Sequence, residues 1–220
     1  MGATDSTDLA QRVEILLPRV ANLFHVEPRT IKLSIEPDWR WQASTRQAWP
    51  PEIPLLRLSA QSDDDVIAHE IAHCLVPSYW LLAAEGLAVW AGVTIGASTK
   101  HILFEGRTVD EVVLRHQTIL PDLSMLAQER VGAGENLSPA IFPELKGRIA
   151  HATAGSFLGF ISSHFPDVPR LISRRETREV DLPTLLFKTT GCDFLKLVDE
   201  WKTSIKIQSG SRGVSRVLGQ

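Results

Sequence analysis

Cysteine is scarce in this chain. Its 220 residues include two, Cys74 and Cys192, too few to read as the framework of a disulfide-stapled secreted domain. Nowhere do 18 apolar residues run together, which excludes a membrane-spanning helix of ordinary length. Residues 1–8 lack the basic patch and apolar core of a signal peptide. These absences predict a cytoplasmic chain held by no membrane. Met1-Gly2-x-x-x-Ser6 does fit the myristoylation pattern, but a pattern that permissive is commonly met by chance. Positive charge is not in excess either. Lys and Arg number 23 against 26 Asp and Glu, a net charge of −3 with no long basic run, so nucleic acid and anionic membrane are poor partners. Internal repeats are absent as well.

Apolar residues, by contrast, are plentiful: at 44% they suffice for one domain with a buried core. Leu9, Val13, Leu16, Leu17, Val20, Leu23 and Phe24 recur at helical spacing, with Thr7 as a cap and Pro18 as a kink. Residues 31–35 and 56–59 alternate apolar and polar and read as strands with one buried face. Between them, residues 36–54 hold four prolines and three tryptophans without a clear period. A short strand is expected at 101–104 and a helix at 108–117. A long helix follows at 140–165, with a break near Pro143 or Gly155. Three short helices are then centred on Leu171, Leu185 and Leu197. The organisation expected is an N-terminal helix over 1–24, a domain over 25–207 and a flexible Gly-, Ser- and Arg-rich tail over 208–220. The six tryptophans are expected to pack in the core, except Trp39 and Trp41, which lie in the irregular stretch and are candidates to line a cleft.

Chemistry concentrates in residues 63–90, which read as two helices joined by a short turn. Asp63, Asp64 and Asp65 complement the positive end of the first helix dipole and Pro77 stops that helix. Within it stands His69-Glu70-x-x-His73. Positions four apart share a helix face, so both imidazoles can reach one metal ion, with Glu70 about 100° round beside it. Glu85 sits in the second helix, which is expected to start near Ser78. If the helices run antiparallel, it returns to within about a turn of His73. Two histidines and a carboxylate, with a fourth position open, form the ligand set of a catalytic Zn2+. The alternative makes both histidines ordinary helix residues and both glutamates surface charges. Against it, Glu85 lies in the apolar run 81–93, where an unpaired charge is costly. Cys74 reads as a small buried hydrophobe rather than a ligand or nucleophile.

These residues resemble the gluzincin metallopeptidases, specifically the small peptidase MA-like branch, in which His-Glu-x-x-His is followed by a short connection and Trp-Leu-x-Glu-Gly-Leu-Ala. Here the second part stands as Trp80-Leu81-Leu82-Ala83-Ala84-Glu85-Gly86-Leu87-Ala88, with one or two extra residues after Trp-Leu. A further family element looks like His151-Ala152-Thr153-Ala154-Gly155-Ser156-Phe157-Leu158, and the similarity extends over about 30–207. The resemblance implies an α+β zincin-like fold. A small N-terminal mixed sheet would precede a mainly helical C-terminal lobe, with the active-site helix between them. It implies zinc on His69, His73 and Glu85, catalysis by Glu70, and a peptide or protein substrate. His151 stands where the family usually has a Tyr that donates to the developing oxyanion. An imidazole N–H can do the same, or the residue is simply packed or exposed. The family also pairs extended substrate with an edge strand ahead of the metal helix, which implies substrate contacts for Leu56, Arg57 and Leu58. The alternative is an ordinary sheet edge. Residues 132–136 are faintly similar to the Gly-x-Met-Glu-Asn motif of gluzincin aminopeptidases. They lack the Met and follow the metal helix instead of preceding it, so they read as a loop.

The expected activity is hydrolysis of peptide bonds through metal-activated water, with Glu70 taking a proton from the water and passing it to the leaving amine. The competing reading is a gluzincin-fold zinc-binding or regulatory domain without catalysis. An intact Glu70 argues against it, because holding zinc does not require that residue. A helical domain without metal needs the motif to be accidental. Oligomeric state is not legible.

Overall fold

Two buried antiparallel helices carry the metal motif, and the other elements assemble around them. The computed structural model describes residues 6–36, 43–96, 104, 106–131, 136–137 and 145–215. Trp39, Trp41, residues 101–103 of the expected strand, residues 132–135 of the expected loop and the myristoylation pattern up to residue 5 lie outside the described residues.

The architecture is mixed α+β and mostly helical, with one small sheet. In chain order come α1 (Ser6–Leu23), β1 (Lys32–Ile35), β2 (Ala43–Arg46), β3 (Leu55–Leu58), α2 (Asp64–Leu75) and α3 (Leu81–Ile95). Then follow α4 (Val109–Arg115), α5 (Leu123–Leu126), β4 (Asn136–Leu137), α6 (Leu145–His164) and α7 (Val168–Ile172). A 3-10 turn (Arg175–Glu179), α8 (Leu182–Thr190) and α9 (Phe194–Ser215) complete the chain. The three expected late helices are α7, α8 and α9. The last of them continues to Ser215, into the stretch expected to be loose. Helix α1 buries Leu9, Val13, Leu16, Val20 and Phe24 in the same core as α2 and α3, and runs through Pro18. Arg12 ties it to the start of α2, donating to Asp64 Oδ1 at 2.7 Å and to the Ser62 carbonyl at 2.9 Å.

The sheet order is β1-β3-β2-β4, with β1 parallel to β3 and the other pairs antiparallel. This corrects the expectation for Leu56, Arg57 and Leu58. Their strand is central, bonded to β1 on one side and β2 on the other, so its main chain has no free edge for substrate. The alternation Leu56-Arg57-Leu58 reports one buried face, and a strand with one buried face occurs at sheet centres as well as edges. Leu56 and Leu58 point into the core, while Arg57 lies 3.7 Å from Glu36. Strand β2 was not legible because Ala43, Ser44 and Thr45 are all buried in succession, which erases alternation.

Helix α3 begins at Leu81, three residues later than the Ser78 start that the sequence suggests. Local bonds explain the delay. Ser78 Oγ accepts from the Trp80 amide at 3.1 Å, and the Ser78 amide donates to Gln47 Oε1 at 2.8 Å. On either side of Trp80, the Tyr79 carbonyl accepts from Val131 and the Leu81 amide donates to Glu129. These bonds use the backbone of 78–81 outside a helix. Trp80 itself is wholly buried, beneath the Arg130 guanidinium.

Candidate metal centre

The α2 segment Val66–Leu75 is buried throughout, and α3 is buried from Leu81 to Val89. An all-apolar sequence around the two motifs therefore reflects helices enclosed on every side. At the far end of the pair, a Cβ on Gly96 of α3 would meet Asp65 of α2 at 2.7 Å, so the end of one helix abuts the start of the other. That antiparallel contact is the arrangement on which the placing of Glu85 depended.

The three expected ligands come together. His69 Nε2 and His73 Nε2 are 3.2 Å apart, Glu85 Oε2 is 3.6 Å from His69 Nε2, and Glu85 Oε1 is 3.8 Å from His73 Nε2. A tetrahedral ion with bonds of about 2.0–2.1 Å requires its ligand atoms to be about 3.3 Å apart. The observed separations are close to that value. The chemistry of the donor set also fits. Burial, with the neighbouring His69 and His151, holds the His73 imidazole down at about 3 despite Glu85, so it is neutral. Its Nδ1 has no hydrogen-bond partner among the described residues. Burial opposes charge on Glu85, but hydrogen bonds with His151 and His69 outweigh it and keep its carboxyl well below the ordinary range. His69 moves the other way: burial disfavours its charge, yet Glu85, Glu70 and Asp65 together raise it. Neutral imidazole, a second imidazole and a carboxylate in a largely buried cluster can hold a metal ion.

Glu70 lies beside this triangle and is 6% exposed, with Oε2 making no hydrogen bond among the described residues. Burial is the main cause that lifts its carboxyl from the ordinary 4.5 to about 7, with Glu85 adding to it, while His69 and Thr45 pull it down. A carboxyl poised near neutrality can both accept and return a proton.

His151, on α6, also reaches the cluster. Its Nε2 is 3.1 Å from Glu85 Oε2 and its Nδ1 is 2.9 Å from the Gly147 carbonyl. Helix α6 comes this close because α3 offers a glycine at the crossing. A Cβ on Gly86 would lie 2.7 Å from the Ala154 carbonyl oxygen, and one on Gly155 would lie 2.3 Å from Val89.

Two supporting residues escape sequence reasoning. Thr45 Oγ1 donates to the Glu70 carbonyl at 3.1 Å, fixing α2 against the sheet at the motif. Asp65, which reads as one of three dipole-complementing acids, is 3% exposed and acts on His69. Its period along α2 was the signal: it lies four residues before His69, on the same face. Leu56 and Leu58 are buried in the core and Arg57 faces Glu36. Cys74, fully buried, and Cys192, half-buried, are both free thiols. No helix among the described residues is long and apolar enough to cross a membrane. No family model, curated protein or solved structure matches the chain.

Proposed function

We propose that the chain is a zinc-dependent peptidase of the gluzincin kind, with a zincin-like fold, in which His69, His73 and Glu85 hold the ion and Glu70 moves protons. The observation that carries this reading is the joint placement of a near-tetrahedral triangle of donors and a buried carboxylate, poised at about 7, next to it. A zinc ion held there supplies Lewis acidity, polarising a carbonyl and bringing a bound water's pKa to about 7.

The chain's own residues do the rest. Glu70 accepts a proton as water attacks the scissile carbonyl, then returns it to the departing amine, a role for which a carboxyl near neutrality is suited. Its burial keeps bulk water from competing for that proton. Glu85 supplies negative charge at the ligand triangle, and the neutral His73 supplies a lone pair. Thr45 keeps the Glu70 backbone, and hence the motif, in register with the sheet.

The test is zinc content by elemental mass spectrometry on untagged protein, beside hydrolysis of a quenched-fluorescence peptide library. Wild type should carry one zinc per chain and cleave peptides. Glu70→Gln should keep the zinc and lose turnover by about 10²- to 10⁴-fold, whereas Glu85→Ala should lose the zinc. Zinc in the wild type without hydrolysis of any peptide would replace the enzyme with a zinc-binding regulatory domain. No zinc, even when offered, would remove the metal reading altogether.

A further inference from the structure

We propose that His151 is a positioning residue for the ligand Glu85 rather than the donor to the oxyanion. This rests on the zinc site proposed above and concerns how its third ligand is held.

The Gly147 carbonyl can only accept, so the nitrogen 2.9 Å from it, Nδ1, carries a hydrogen. That bond, one turn back along α6, sets the plane of the ring. It leaves Nε2 aimed at Glu85 Oε2, 3.1 Å away. An oxyanion donor must instead aim its N–H at the position where the substrate carbonyl develops charge. Turning the ring there would break both contacts in a pocket where His151 is 7% and Glu85 8% exposed.

Nor does His151 complete the ligand shell. The ligand atoms of His69, His73 and Glu85 all lie within 4.8 Å of one another, and His151 does not join that group among the described residues. Its contact is with Glu85 Oε2, the oxygen that also faces His69. On its own helix the residues one turn away from Glu85, Leu81, Leu82, Ala88 and Val89, offer no polar side chain, so its polar contacts come from other elements. The Gly147 carbonyl and the Glu85 carboxylate both accept, so the two contacts are hydrogen bonds together when the ring carries a hydrogen on each nitrogen, and the carboxylate has lone pairs enough to take the one from Nε2 and still face His69 and His73. Through His151, the backbone of α6 is thus linked to a ligand on α3. Partners of this kind orient metal ligands, and their loss commonly weakens metal binding 10- to 100-fold.

The test measures zinc affinity by competition with a chromophoric chelator, and kcat at saturating zinc, for wild type, His151→Phe and His151→Gln. Far-ultraviolet circular dichroism checks that each variant is folded. His151→Phe should bind zinc about 10- to 100-fold more weakly. His151→Gln, whose amide N–H reaches a similar point, should recover affinity to within a few-fold of wild type. Should His151→Phe prove unfolded, the Gln variant together with His151→Asn, too short to reach Glu85, supplies the same contrast. Wild-type zinc affinity in His151→Phe, with kcat down 10²- to 10³-fold, would overturn the proposal in favour of the oxyanion role while leaving the zinc site standing. A wild-type chain that takes no zinc would overturn the site itself and this inference with it.

Discussion

Glu70 shows how much a single residue's surroundings matter. Placed in a water-poor pocket, the same side chain that is ionised on a surface becomes a base with a pKa of about 7. A stability consequence follows for the metal-free protein. Because the folded-state pKa lies above the ordinary 4.5, the folded state binds this proton more tightly than the unfolded state does. The stabilisation is complete below about pH 4.5 and is lost as pH rises through 7. Glu70→Gln has no such loss. In excess chelator it should therefore gain stability over wild type on going from pH 5 to pH 8, by roughly 3 kcal/mol at most. Urea denaturation at the two pH values checks this, and a difference that shrinks toward pH 8 would contradict the assigned burial. Cys74 illustrates the opposite outcome of burial. Its thiol is pushed up by burial and by Glu70, beyond the help of Thr45 and Arg29, so it stays protonated and out of reach. An aromatic disulfide reagent should titrate Cys192 in the native protein and reach Cys74 only after denaturant is added. Two fast thiols in the native state would mean that α2 opens readily.

At the level of elements, the contact between α3 and α6 decides whether the site is assembled. The helices meet at Gly86 and Gly155, where side chains would force them apart. Gly86→Ala places a methyl 2.7 Å from the Ala154 carbonyl and 2.9 Å from Leu158 Cγ. It should cost about 1–3 kcal/mol of stability. Since Glu85 is the adjacent residue and His151 lies on the displaced helix, zinc affinity should fall in the same variant. Chemical denaturation with chelator, beside a zinc titration, separates the two effects. Unchanged values in both would show that the crossing can spread without disturbing Glu85. The link between α1 and α2 is of a different kind. Arg12 holds the segment that leads into the motif by two bonds at the surface, and its removal should cost only about 1 kcal/mol.

Over the whole molecule, one apolar core joins α1, the sheet and the later helices, and within it the metal helix is enclosed mainly by α1, α3, β2 and β3. This enclosure explains which features were legible. The helices at 64–75 and 145–164 have recognisable starts, stops or lengths, and the spacing of His69, Glu70 and His73 is local geometry that any α-helix delivers. Glu85 could be placed because two short antiparallel helices allow few alternatives. The residues around the cluster were less accessible to such reasoning. Strand β2 shows no alternation because both its faces are covered, and α3 starts late because its first residues bond to Gln47 and to residues 129–131.

What sequence alone determined, then, is the local part: helical character, the shared face of the two histidines, and the apolar surroundings of Glu85. Tertiary structure decided the rest. It made Leu56, Arg57 and Leu58 a central strand instead of a substrate edge, because pairing on both sides depends on where β1 and β2 lie. It turned His151 toward Glu85, because the ring is set by the Gly147 carbonyl and by the distance at which α6 crosses α3. Helix periodicity states which face a side chain occupies; only packing states what that face meets.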